Sequence, residues 1–302
     1  MGCVLLSGCQ SLSLAWAMAR YERTLDTYAQ TDTTSTSVIR RTHVDGRDAT
    51  LISAFFGLDS SLPERSTDRV ACKGGGGADG MPVIFSHEVD ITTLEPGDFR
   101  ITKASGAVGS ITCLTLAPAD DPGELRTALL AGEFGSAADQ PVKVEITGNV
   151  LSLDRSVNFK GASVAVTPLE AGPSMVWAEI VPEGQWELGK QATALPWGGG
   201  SRCPVGTKQV IRVTWNGGVT KPGGRDSADD TERRLYKVTT VQPRGTHTEI
   251  TPFALADLND GDNNHLLCLD TTDVATSVFF PAGRLVDPRG DPNPDTRISL
   301  RQ

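Results

Sequence analysis

The run Asp257-Leu258-Asn259-Asp260-Gly261-Asp262-Asn263-Asn264-His265 holds the densest set of oxygen donors in the chain. Calcium takes roughly six to eight oxygens from closely spaced carboxylates and amides, and a glycine lets such a loop turn sharply. Asp257, Asn259, Asp260 and Asp262 surround Gly261, and Asp270 and Asp273 follow. The plain alternative is a solvated turn, because Asn, Asp and Gly dominate turns in any case. The aspartates would repel one another without a cation, which favours calcium. The expected ligands are therefore Asp257, Asn259, Asp260, Asp262 and Asp270.

Proton-transfer chemistry has fewer candidates. Only four histidines exist, at 43, 87, 247 and 265, and none forms H-x-H or H-E-x-x-H. His87 and His265 are the candidate general bases, each needing a carboxylate brought from elsewhere in the chain. Ser86-His87-Glu88-Val89 reads as a strand, with Glu88 on the face opposite His87. Gly199-Gly200-Ser201-Arg202-Cys203 ends in Cys where a nucleophile elbow needs Gly, and Gly74–Gly77 does not lead from a strand into a helix. Two further acidic runs read more plainly. Asp226–Glu232 precedes Arg233-Arg234, as a charged surface loop would. Asp287–Asp295 is stiffened by Pro288, Pro292 and Pro294. Trp177 and Trp215 sit among apolar residues and read as core, while Trp186 and Trp197 lie in Gly/Pro-rich chain that could offer a stacking surface.

Composition narrows the class. The chain has 302 residues, with 37 acidic against 28 basic and a net charge of -9. That balance argues against a nucleic-acid surface, which needs a basic patch. No apolar run reaches the roughly 18 residues of a membrane-spanning helix. Gly 32 and Pro 18 suit a turn-rich β protein.

The first 19 residues carry no charge. Leu6-Ser7-Gly8-Cys9 reads as a lipobox that would acylate Cys9, and Ala17-Met18-Ala19 as an alternative cleavage site. An ordinary amphipathic helix over 12–30 is the remaining reading. Beyond Cys3 and Cys9 stand Cys72, Cys113, Cys203 and Cys268, none in C-x-x-C spacing. In an exported chain they would form two disulfides, with three connectivities open. The sequence-local one is Cys72–Cys113 with Cys203–Cys268.

After residue 48 the pattern is short strands broken by turns. In Val142-Lys143-Val144-Glu145-Ile146 and in Ile211-Arg212-Val213-Thr214-Trp215, the apolar positions alternate onto one face. Asn216-Gly217 and the Pro-Gly pairs at 96–97, 122–123 and 222–223 mark turns. The expected fold is all-β, with two β-sandwich-like domains behind an N-terminal leader or helix. The divisions are 1–44, 45–181 and 182–302, with the linker placed where Pro182-Glu183-Gly184 and the Gly-rich run concentrate.

Residues 83–102, VIFSHEVDITTLEPGDFRIT, followed by Ser105-Gly106, resemble the opening of bacterial Ig-like β-sandwich domains on cell-surface proteins. The likeness extends loosely to Val150. It implies an extracellular sandwich and carries no catalytic residues. The Asp257–Asp262 loop resembles the D-x-N-D-G-D calcium loops of extracellular proteins. It differs from an EF-hand in its early Gly and its missing twelfth-position Glu.

The expected protein is thus an exported or surface-attached bacterial binding or structural module, stabilised by disulfides and calcium. Its partner would be a small molecule, a glycan or a protein, with no nucleic acid and no membrane span. The alternative is a motif-poor β-sandwich enzyme (a hydrolase, lyase or isomerase) with a His/carboxylate pocket between its domains.

Overall fold

The computed structural model describes residues 32–39, 41–42, 48–63, 72, 75–186, 188–189, 201–258 and 261–301. The leader, Cys9, the helix read over 12–30 and Trp197 lie outside these residues, as do Asn259 and Asp260.

Strands dominate, and they fall into two sets. The first set is β1 Leu51–Phe55, β2 Asp79–Phe85, β3 Phe99–Lys103, β4 Ser110–Thr115, β5 Thr127–Glu133, β6 Pro141–Ile146 and β7 Ser163–Thr167. These make one seven-stranded sheet in the order β3-β6-β7-β1-β2-β5-β4, antiparallel except for β1 beside β7. The sheet curls until its edges approach: the Gly109 N–H, just before β4, donates to the Ile101 carbonyl in β3 at 2.9 Å. Side chains from both edge strands, Ile101 and Leu114, share a single core with Phe85, Phe134 and Phe159.

The second set is β8 Met175–Ile180, β9 Gln209–Trp215, β10 Lys237–Val241, β11 His247–Ile250, β12 Ala254–Ala256, β13 Asn264–Leu269, β14 Val274–Phe280 and β15 Thr296–Ser299. Two four-stranded sheets result, β11-β10-β14-β15 and β12-β13-β9-β8. Their facing side chains fill one core, with Ile211, Val213 and Leu267 from one sheet against Val238, Val278 and Phe280 from the other. This is sandwich packing of two amphipathic faces. The strand β8 lies within the stretch 45–181, yet it pairs with β9.

The fold is all-β and sandwich-like, as the patterning predicts, and both disulfides take the sequence-local pairing, Cys72–Cys113 and Cys203–Cys268. Among the described residues no helix is long and apolar enough to cross a membrane.

Local differences have physical causes. The alternation in β6 breaks at Val142, which is 46% exposed while Val144 and Ile146 are fully buried. A register shift opposite Thr102 and Lys103 inserts one extra residue there and turns Val142 outward. Asn216-Gly217 ends β9 without making a hairpin, because β9 pairs with β8 and β13. The Asn216 side chain instead accepts from the Ser174 N–H at 2.9 Å. The strand read over 233–241 starts later, since Asp230–Arg233 forms one helical turn capped by Asp229. His87 lies just past the end of β2, in a bend, with Nδ1 2.9 Å from Ser86 Oγ.

Candidate functional site

The strand β9 has every residue buried. Ile211, Val213 and Trp215 point into the sandwich core, so by strand geometry Arg212 points to the other face. A guanidinium there needs partners, and the first sheet set supplies them. The loop between β4 and β5 presses against that face. Arg212 Nη1 donates to the Gly123 carbonyl at 3.0 Å and Nη2 to the Pro122 carbonyl at 3.2 Å. The same loop delivers Glu124, whose Oε1 lies 3.4 Å from Arg212 Nε. Glu179, the register partner of Arg212 on β8, bridges Arg212 at 3.1 Å and Arg126 at 3.2 Å. Arg126 also stacks over the Trp177 ring, 4.3 Å from its centroid. Trp177 is thus buried at the junction, outside the sandwich core that holds Trp215.

Three carboxylates converge beside this arginine. Asp121, Glu124 and Asp257 are all buried, and one oxygen from each lies within 4.8 Å of the others. Asp121 and Glu124 share one turn, closed by the Glu124 N–H donating to the Asp121 carbonyl at 3.0 Å. Asp257 follows β12 with a left-handed φ of 62°, a conformation that Asp tolerates better than most residues. Arg202 adds a second guanidinium, 3.2 Å from Asp121.

Burial holds the Glu124 carboxyl well above the usual carboxylate range, and the nearby Asp262 charge adds to this. The hydrogen bond to Asp257 and the charge of Arg212 pull the other way. A hydrogen bond between two carboxyl groups requires a proton on one of them. Two such groups this close need either that proton or a cation.

Of the residues read as calcium ligands, the described ones separate. Asp257 and Asp262 lie at this joint. Asp262 is also engaged locally, accepting from the Asn264 N–H at 2.9 Å and from its side-chain amide at 2.8 Å. Asp270 is exposed at the far end of β13. At about 3.3 Å per residue, that strand holds it roughly 20 Å from Asp262. The Asp226–Arg234 run is a surface network, with Lys221 paired to Asp229 and Asp230 to Arg233 and Arg234. In the Pro-stiffened loop, Asp287 is buried and caps its own turn, accepting from the Arg289 and Asp291 N–H groups.

His265 is buried, and its Nδ1 lies 2.7 Å from the Tyr236 hydroxyl. That hydroxyl accepts from Trp215 Nε1 at 3.2 Å. The hydroxyl and Nδ1 share one hydrogen bond, whose direction follows the imidazole tautomer. Burial lowers its pKa to about 4.

No protein-family model matches the chain, and no curated protein is similar to it in sequence.

Next to the joint runs an apolar cleft of about 220 Å³. Leu58, Leu62, Pro82 and Leu129 from the first set line it, with Asp262 and Asn263 from the second. The sequence reading missed Asp121, Glu124, Glu179, Arg202 and Arg212. Two signals were present: an arginine inside a strand apolar on both sides, and Asp120-Asp121-Pro122-Gly123-Glu124, an unusually acidic turn.

Proposed function

We propose that the chain is an exported or surface-attached β-sandwich protein with a binding or structural role, whose two strand sets are locked together by calcium at the Asp121–Glu124–Asp257 joint. The convergence of three buried carboxylates from both sets carries this reading. Counting Glu179 and Asp262, five carboxylates face three guanidiniums, Arg126, Arg202 and Arg212. Carboxylates outnumber guanidiniums among these groups, so a cation or a shared proton must balance them. Oxygen-only donors suit a hard ion. Two disulfides support an oxidising compartment, and the likeness of 83–102 to bacterial surface Ig-like domains points the same way. The cleft beside the joint would take a small, largely apolar partner or side chain, with Asp262 and Asn263 as its polar end.

A thermal melt with calcium and with EDTA tests the joint. At a hundredfold excess over the dissociation constant, calcium binding to the folded state alone adds about 2.7 kcal/mol. The shift should be diminished in Glu124→Gln, which keeps the shape and removes the charge. A melt indifferent to calcium in the wild type overturns the calcium reading and leaves a shared proton as what holds Glu124 and Asp257 together.

The enzymatic alternative has one observation in its favour, the Glu124–Asp257 carboxyl pair near a cleft. His265 lines a pocket of about 130 Å³ with Asp257 and Asp262, but burial lowers its pKa to about 4 and makes it a weak base.

A further inference from the structure

A second group of carboxylates lies away from the joint, in the first strand set. Asp32, Glu95 and Asp98 are close enough that one oxygen from each falls within 4.8 Å of the others. Glu95 and Asp98 bracket the short turn Pro96–Asp98 that leads into β3. Asp32 opens the described N-terminal segment, 32–39, which lies across that turn. The Thr33 N–H donates to Glu95 Oε2 at 2.6 Å, and the Thr33 hydroxyl donates to Oε1.

Asp98 is fully buried, and its two oxygens differ. Oδ2 accepts from the Glu95 N–H at 2.8 Å, while Oδ1 has no hydrogen-bond partner. That oxygen is aimed into the cluster. A Cβ on Gly148 would fall 1.8 Å from Asp98 Oδ1 and 3.0 Å from Asp32 Cβ. The unpaired oxygen thus occupies the space a side chain at 148 would need, and it does so on the side of the Asp32 stem. Such a buried oxygen is costly unless something binds it.

The neighbouring charge falls short. Among the described residues the ion pair to this cluster comes from Lys160, whose Nζ lies 3.7 Å from Asp32 Oδ2 on a half-exposed side chain. Burial, together with the Asp32 and Glu95 charges, raises the Asp98 carboxyl to about 7; once it is ionised, three carboxylates against one ammonium leave two negative charges over. Every donor is oxygen, which selects a hard divalent ion. Asp32 and Glu95 already accept hydrogen bonds, but each carboxylate oxygen keeps lone pairs for a cation.

We propose that Asp32, Glu95 and Asp98 form a calcium site, separate from the joint, that clamps the segment 32–39 onto the first strand set. The dock is already shaped for it. Asn149 Nδ2 donates to Asp32 Oδ2 at 2.6 Å and to the Thr34 carbonyl at 3.1 Å. Asn158 Nδ2 donates to the Val38 carbonyl at 2.9 Å. The ion would tighten an existing seat, so its loss should loosen this segment and leave the sheet core intact.

Calcium titration of the full chain by calorimetry, with trypsin cleavage after Arg41 as a second readout, tests the site. Using Glu124→Gln as the background silences the joint. That variant should still bind calcium, and calcium should slow its cleavage. Adding Asp32→Asn should weaken this binding at least tenfold and abolish the protection. Asp32 is half-buried on the segment itself, so its substitution spares the core. Identical titrations with and without Asp32→Asn overturn the proposal, as does a Glu124→Gln protein that binds no calcium. A wild-type response that Asp32→Asn removes and Glu124→Gln leaves unchanged supports this site and overturns the joint.

Discussion

Gly123 and Arg212 fit each other across the junction of the two strand sets. The arginine donates to the Gly123 carbonyl at 3.0 Å, and a Cβ on Gly123 would lie 2.5 Å from that same Nη1. The glycine also has φ +93°, a backbone that disfavours side chains. Gly290 has the same φ of +93° with nothing near its missing Cβ. Gly290→Ala should therefore cost only the backbone strain, about 1 kcal/mol. Gly123→Ala should cost that plus the displaced guanidinium, in all roughly 3–4 kcal/mol. Urea denaturation of both variants measures the difference, and equal midpoints would remove Arg212 from the joint.

His265 makes stability depend on pH. Its folded pKa lies near 4 against an ordinary value of 6.5. The unfolded chain thus binds a proton between those values and the folded chain does not. The contribution is fully present above about pH 6.5 and is lost as pH falls towards 4. The loss is on the order of 3 kcal/mol. Melts at pH 7 and pH 5 check this, with His265→Gln as control. The wild type should lose stability on acidification, and the variant should lose distinctly less.

The disulfides close long loops, with separations of 41 and 65 residues. The chain-entropy argument gives about 4 kcal/mol for each. Reduction under native conditions should lower the melting temperature, and the paired Cys203→Ser, Cys268→Ser variant should lose stability on the same scale. Mass spectrometry after alkylation of the unreduced protein should leave these four cysteines unlabelled. Four labelled thiols would remove the argument for an oxidising compartment.

The register shift in β6 has its own signature. Val142 faces water and Val144 is fully buried. Val142→Ser should change stability by less than about 0.5 kcal/mol, whereas Val144→Ser should cost about 2–3 kcal/mol. Equal losses at the two positions would restore the unbroken alternation.

Much of the fold is written locally. The spacing of Ile211, Val213 and Trp215 specifies both a strand and the face it buries, and the structure uses that face. The Val142 bulge is not legible in the run, because it arises from how β6 pairs with β3 rather than from the alternation itself. The joint was illegible for a similar reason. Arg212 and the Pro122-Gly123-Glu124 turn that meets it lie about ninety positions apart in sequence, and no local pattern pairs them. Asp257 could be singled out because neighbouring acids drew attention to it. Its actual companions, Asp121 and Glu124, flank a Pro-Gly turn that nothing local ties to Asp257. Asp270 was misleading for the converse reason, since closeness in sequence counts for little when an extended strand intervenes.

The two disulfides also set how far the molecule can be stretched. A chain pulled by its ends can pay out only the part that is not enclosed by a covalent loop. The loops at 72–113 and 203–268 withhold about a third of the sequence from extension. At roughly 3.3–3.6 Å per residue, that is on the order of 350 Å of contour length that no tension short of bond rupture can release. Each strand set contains one such loop, so even with every hydrogen bond broken, a compact knot of chain would remain in both halves.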